Sequence, residues 1–115
     1  MTMLIFEFYQ EPEGSSFTHN SQDYDLNFVL KQIDKYPEIY FKVDDLKWVL
    51  KYDTPDPTRV EAAEIQYPVL VTYYGNRLCV IDGLHRLEKS IEEDKKFIVG
   101  KFVPNSILSK AKLQV

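Results

Sequence analysis

Val80-Ile81-Asp82-Gly83-Leu84-His85-Arg86-Leu87 is the stretch of this chain whose residue types and spacing suggest a specific chemistry. Branched apolar residues give way to Asp-Gly and then to helical spacing, which predicts a strand running straight into a helix. Glycine lets the backbone turn tightly there. The first amides of the new helix have no intrahelical acceptors, which makes them donors to an anion. A phosphate group fits that geometry. Arg86 would meet phosphate oxygens with its planar fork, and His85 would donate a hydrogen bond or carry a proton. Both put positive charge on a turn that the helix dipole already makes positive, so a negative partner is expected. Asp82 has three open roles: cap of the helix, ligand of Mg2+ together with phosphates, or base toward a hydroxyl or water. A purely structural reading stands beside these, with Asp82 as N-cap, His85 at the surface and Arg86 paired with Glu93 or Glu61.

Other residues are weaker candidates. Arg59 would reach the same phosphate if the proline-rich connection before it folds over the junction; otherwise it is an exposed helix arginine. His19 sits in a polar stretch without metal-ligand spacing to His85 or Cys79, so no metal site is expected. Cys79 falls within a strand and reads as a small buried apolar residue. Tyr40, Tyr73 and Tyr74 read first as half-buried strand aromatics and second as platforms for a base.

The elements that must position these residues follow from pattern. Residues 3–10 read as a strand and residues 11–23, rich in Gly, Ser, Asn and Pro, as a loop. Residues 25–36 predict an amphipathic helix with Asp25 as N-cap and Pro37 as its stop. A short strand over 38–43 leads to one or two helical turns capped by Asp44 or Asp45, carrying Leu46, Val49 and Leu50 beneath Trp48. Residues 52–58 form a rigid connection, and 59–65 return to helical composition. Strands over 69–74 and 77–82 are joined by Gly75-Asn76, the signal of a tight primed turn. A helix over 83–93 shares Leu84, Leu87 and Ile91 on one face, and a strand over 97–103 precedes a short terminal helix or tail.

The 115 residues amount to one domain, long enough to bury about two-thirds of the surface of the unfolded chain. The chain is 44% hydrophobic with eight Tyr and seven Phe, yet has no apolar run near the ~20 residues of a membrane span. Glu7 and Glu11 interrupt any secretory signal, and a single cysteine forms no internal disulfide, so a cytoplasmic address is expected. The formal charge is −4, and residues 1–94 carry nine Lys and Arg against eighteen Asp and Glu. The remaining five lysines, all after residue 94, read as a solvated end. A pI near 5.1 argues against non-specific DNA binding.

In order along the chain, Tyr67-Pro68-Val69-Leu70-Val71, the turn Gly75-Asn76, the Asp82-Gly83-Leu84-His85-Arg86 motif and Ile98-Val99-Gly100-Lys101-Phe102-Val103 resemble the ParB N-terminal domain and sulfiredoxin superfamily. The resemblance covers about residues 38–109. It divides the chain into an N-terminal strand, loop and helix extension over 1–37 and a ParB/sulfiredoxin-like domain over 38–115. It implies a compact α/β (α+β) fold with a small mixed sheet, a central hairpin and flanking helices. It also implies nucleotide handling, with ATP, ADP or CTP and Mg2+ as the candidates; on the residue reading above, Gly83, Leu84, Arg86 and Arg59 would hold the nucleotide and Asp82 and His85 would be the catalytic pair.

Uses differ across that superfamily, and this sequence departs from each. Partition proteins use CTP as a clamp switch, with a Glu-Arg-Arg motif and a DNA-reading domain that are both missing here. Sulfiredoxin carries its reactive cysteine where this chain has Leu84, which removes its chemistry. The motif is closer to the Asp-Gly-His-His-Arg form of a free serine kinase, whose second acid would have to come from Asp53, Asp56, Glu61 or Glu64. Two readings remain. One is an enzyme that hydrolyses a nucleotide or transfers a phosphoryl group. The other is a non-catalytic module that acts through a protein or DNA partner. A ParB-like nuclease ranks third, against the acidic balance.

Overall fold

Six strands and five α-helices form within residues 16–19 and 22–113, which the computed structural model describes. In chain order they are β1 (Ser16–His19), β2 (Gln22–Asp25), α1 (Leu26–Gln32), β3 (Ile39–Lys42) and α2 (Val43–Leu46), followed by a 3-10 helix (Lys47–Lys51). Then come α3 (Pro57–Ala62), β4 (Val69–Tyr74), β5 (Arg77–Asp82), α4 (Leu84–Glu92), β6 (Phe97–Phe102) and α5 (Asn105–Lys110). The strand expected over residues 3–10 lies outside the described residues. No helix among the described residues is long and apolar enough to cross a membrane.

The chain divides into two compact units, Met1–Lys35 with Pro104–Val115, and Tyr36–Val103. In the first, β1 pairs antiparallel with β2, Phe17 opposite Tyr24. Both rings are buried and stack at 5.3 Å. That aromatic pair corrects the loop expected from polar composition: two facing rings bury enough surface to hold a hairpin that its neighbours do not announce. His19 therefore lies in a strand. Asp25 caps α1 as predicted, its carboxylate accepting from Phe28 N at 3.1 Å. The chain end is tied to this hairpin by Leu113 N donating to Asp23 O and Asp25 N donating to Ala111 O, at 2.9 and 2.8 Å.

The second unit is a four-stranded mixed sheet in the order β3-β6-β4-β5. β3 is antiparallel to β6, β5 is antiparallel to β4, and β4 and β6 are parallel. β5 returns the chain to the end of the sheet where β4 began, and α4 then carries it past β4 to β6, which can so run parallel to β4. β4 is buried at four successive positions, Val69 to Thr72, as a central strand covered on both faces must be. The expected hairpin forms across Gly75-Asn76, with Gly75 at φ +64° as the first residue of a type II′ turn requires.

Two helix starts differ from the sequence reading. α2 begins at Val43 with Lys42 at the cap position and no side-chain capping bond, so Asp44 and Asp45 fall inside its first turn. The reason is that Val43 N still continues the sheet ladder, donating to Lys96 O at 3.0 Å, so the chain enters the helix directly from the strand. α3 begins at Pro57, two residues before Arg59, because Asp56 accepts from Thr58 N at 2.9 Å and proline suits the first helical position.

Candidate functional site

β5 ends at Asp82 and the chain turns through Gly83, whose φ of +104° and ψ of 26° L residues rarely adopt. Space forbids a side chain as well. A Cβ on Gly83 would lie 2.7 Å from Cγ1 of Val69, which is fully buried in the central strand. α4 starts at once, closed by Leu87 N donating to Gly83 O at 3.0 Å, with Gly83 at the cap position. Its first amides lack intrahelical acceptors, and Gly83 has no side chain to offer them. Asp82 is not the cap. It is half-buried opposite Leu70, beside a bulge between Leu70 and Val71.

The connection before α3 brings further charges to this turn. The His85 imidazole is held below its ordinary value, first by burial and then by the Arg59 cation, while Asp56 and Asp53 pull in the opposite sense. Arg59, Asp56 and Asp53, more than twenty residues away in sequence, are therefore within electrostatic reach of the second residue of α4. Asp53 and Asp56 were two of the four candidates for a second acid. Of the others, the Glu64 carboxylate accepts from Gln66 Nε2 at 3.3 Å, and Glu61 contributes its backbone carbonyl to a lysine.

Arg86 points elsewhere. Its Nη1 donates to the Pro68 carbonyl at 2.6 Å, and burial brings the guanidinium down to about 10, which still leaves it protonated at neutral pH. The partner of Nη1 is thus a backbone oxygen just ahead of β4. Arg86 thereby fastens the first turn of α4 to the chain that enters the central strand.

Lys89 was not among the residues singled out from sequence. Its Nζ donates to Glu61 O and Ala63 O, both at 2.8 Å, so a cation holds the carbonyl end of α3, where the helix dipole is negative. The available signal was spacing, since residues 85 and 89 are four apart on a helix and share a face. On that face Lys89 reaches the end of α3, and His85 feels the charges of Arg59 and Asp56.

The remaining candidates have surroundings of their own. The Cys79 thiol is buried, raised in pKa by that burial, and directed at Val80 O at 3.6 Å. The His19 ring is lowered by burial and tilts against Tyr24 at 6.4 Å. Among the described residues no group of three His, Cys, Asp or Glu is placed to hold a metal ion. Tyr74 stacks on Trp48 at 6.1 Å, the Arg77 guanidinium lies 4.0 Å from the centre of the same indole, and Trp48 Nε1 donates to Leu78 O at 2.8 Å. Tyr73 meets Phe102 edge-on at 5.4 Å. A groove of about 350 Å3 runs between Asp44, Lys47, Trp48 and Lys51 on one side and Glu88 and Ile91 of α4 on the other. Its lining includes no residue of Asp82 to Arg86.

Chemically, the turn into α4 offers amide donors, Asp82, and an imidazole whose pKa is lowered, with the charges of Arg59, Asp56 and Asp53 felt there. No protein-family model matches the chain, and no curated protein matches it. Among solved structures it is similar to sulfiredoxin from Arabidopsis thaliana, at 15% identity and a TM-score of 0.48, covering 57% of this chain and 83% of that one. A likeness this loose carries no argument about the Asp82 to Arg86 turn, which is read from its own residues.

Proposed function

We propose that the chain binds the phosphate groups of a nucleotide at the turn into α4, and that Asp82 and His85 act there in hydrolysis or phosphoryl transfer. The reading is carried by the grouping at His85: a helix start with Gly83 at its cap position, and Arg59, Asp56 and Asp53 in electrostatic reach. The amides of Leu84 and His85 would hold a phosphate, and Arg59 would offset its charge. Arg86, tied to Pro68 O, would keep the first turn in place and add to the positive field. Burial and Arg59 favour the neutral imidazole near pH 7, the form able to accept a proton from a hydroxyl or water.

Mg2+ accompanying the nucleotide would need one or two carboxylates besides phosphate oxygens, and Asp82, Asp53 or Asp56 would supply them. It would supply charge neutralisation. The rest of such a reaction is positioning and stabilisation of charge, which fixed donors on a packed helix suit.

The test is calorimetric titration with ATP, ADP, CTP and GTP, each with and without Mg2+, on the wild-type chain, Arg59→Ala and His85→Ala. Arg86→Ala is a poorer probe, because it also removes the bond to Pro68. Saturable heat with one nucleotide, weakened in Arg59→Ala, supports the site, and phosphate release lost in Asp82→Ala and His85→Ala supports the enzyme. Binding without release supports a module acting through a protein or DNA partner. No heat with any nucleotide overturns the proposal.

A further inference from the structure

β3 is an end strand of the four-stranded sheet. Its ladder sets Ile39 opposite Gly100 and Phe41 opposite Ile98, and in the same register Val43 N donates to Lys96 O at 3.0 Å. Antiparallel bonds alternate along a strand. The backbone groups of Phe41 and Ile39 therefore also turn toward β6, and those of Tyr40 and Lys42, with Glu38 just ahead of the strand, turn to the outer edge.

Natural edges are blunted by prolines, bulges or charges within the strand. This one has a regular register, no proline inside it, one charge, Lys42, and exposed apolar side chains around it: Tyr40 at 77%, Ile39 at 42% and, on the neighbouring strand, Phe97 at 54%.

We propose that this edge pairs with the same edge of a second copy of the chain, antiparallel, across a two-fold axis between the two Tyr40 residues. Only residues whose backbone groups face outward can form the new ladder, so the register must match Glu38, Tyr40 and Lys42 among themselves. Centring the pair on Tyr40 puts Glu38 opposite the partner's Lys42, and Lys42 opposite the partner's Glu38. Ile39 then faces the partner's Phe41. Shifting by two residues either way sets Tyr40 against a charged residue and loses both ion pairs. An unrelated extended peptide would gain the backbone bonds but not this charge match, which is why the occupant is a second copy. Phe97, opposite Lys42 in the β3–β6 ladder, lies on the same face as Tyr40 and extends the apolar stripe across the axis.

Sedimentation equilibrium on the full chain over a wide concentration range tests this. The expected result is a monomer–dimer equilibrium that Lys42→Glu or Glu38→Lys weakens by about tenfold or more, since each reversal turns two attractive cross-strand pairs into two repulsive ones. Both side chains are exposed, and carrying the two reversals together restores the pairs in exchanged positions, so the double variant should recover the dimer. A monomer at every concentration overturns the proposal. So does a dimer indifferent to the single reversals, or a double variant no better than either single one.

Discussion

Replacing Gly83 by alanine tests the geometry on which the α4 turn depends. Two costs arise in the folded state. At φ +104° an L residue is strained by about 1–2 kcal/mol relative to its ordinary regions. The new Cβ would also sit 2.7 Å from Val69 Cγ1, 3.0 Å from Val69 Cβ and 3.2 Å from Val69 Cα. Val69 cannot yield easily, because it is fully exposure-free in the central strand and its register binds it to Gly100 of β6. Overpacking of that kind costs about 1–3 kcal/mol. Alanine stiffens the unfolded chain and returns about 0.4–1 kcal/mol, leaving a net loss of roughly 2–4 kcal/mol. With a urea m-value of about 1–3 kcal/mol per M, the midpoint should fall by on the order of 1–2 M with m unchanged.

Gly75→Ala is the control. That glycine also has positive φ, at +64°, but nothing lies within 4 Å of its Cβ position. It should lose only the backbone share, about 1 kcal/mol. The steric part can be isolated further by a cycle with Val69→Ala, which removes Cγ1: the double variant should lose less than the sum of the two single ones. Equal losses at Gly83 and Gly75, or an additive cycle, would refute the close contact between the turn and the central strand.

Other outcomes follow from the same geometry. Burial and Arg59 depress the His85 pKa below 6.5, so its contribution to stability is complete above pH 6.5 and is lost as pH falls through the lower folded value. In an NMR titration Arg59→Ala should raise the His85 pKa, and Asp53→Asn or Asp56→Asn should lower it; a His85 curve deaf to all three separates these groups. Lys89→Met keeps the carbon stem but removes both bonds to the end of α3, at a cost of roughly 1–2 kcal/mol in chemical denaturation, and an unchanged midpoint would deny the clamp. The Ser90 hydroxyl is buried without a hydrogen-bond partner inside α4, so Ser90→Ala should stabilise the fold by about 1 kcal/mol; a loss instead would mean that the hydroxyl is satisfied.

What the sequence determined by itself was local. The hairpin at Gly75-Asn76, the Asp25 cap and the passage from strand to helix through Gly83 each depend on a few consecutive residues, whose φ preferences and short-range hydrogen bonds act before any tertiary contact. The β1–β2 hairpin was not legible, because its hold is the pairing of Phe17 with Tyr24 inside a stretch of turn-forming residues. The cap of α2 was not legible either, since a sheet bond from Val43 to Lys96, more than fifty residues on, displaced the aspartates from it. At the candidate site the same division holds. Asp82, Gly83, His85 and Arg86 stand next to one another in the sequence, but which of them faces α3 and which is fastened to Pro68 was decided only by how α3 and α4 pack. Side-chain direction on a helix is set by its neighbours in space, and the chain brings Asp53, Asp56 and Arg59 to His85 only once the central strand and its two helices are in place.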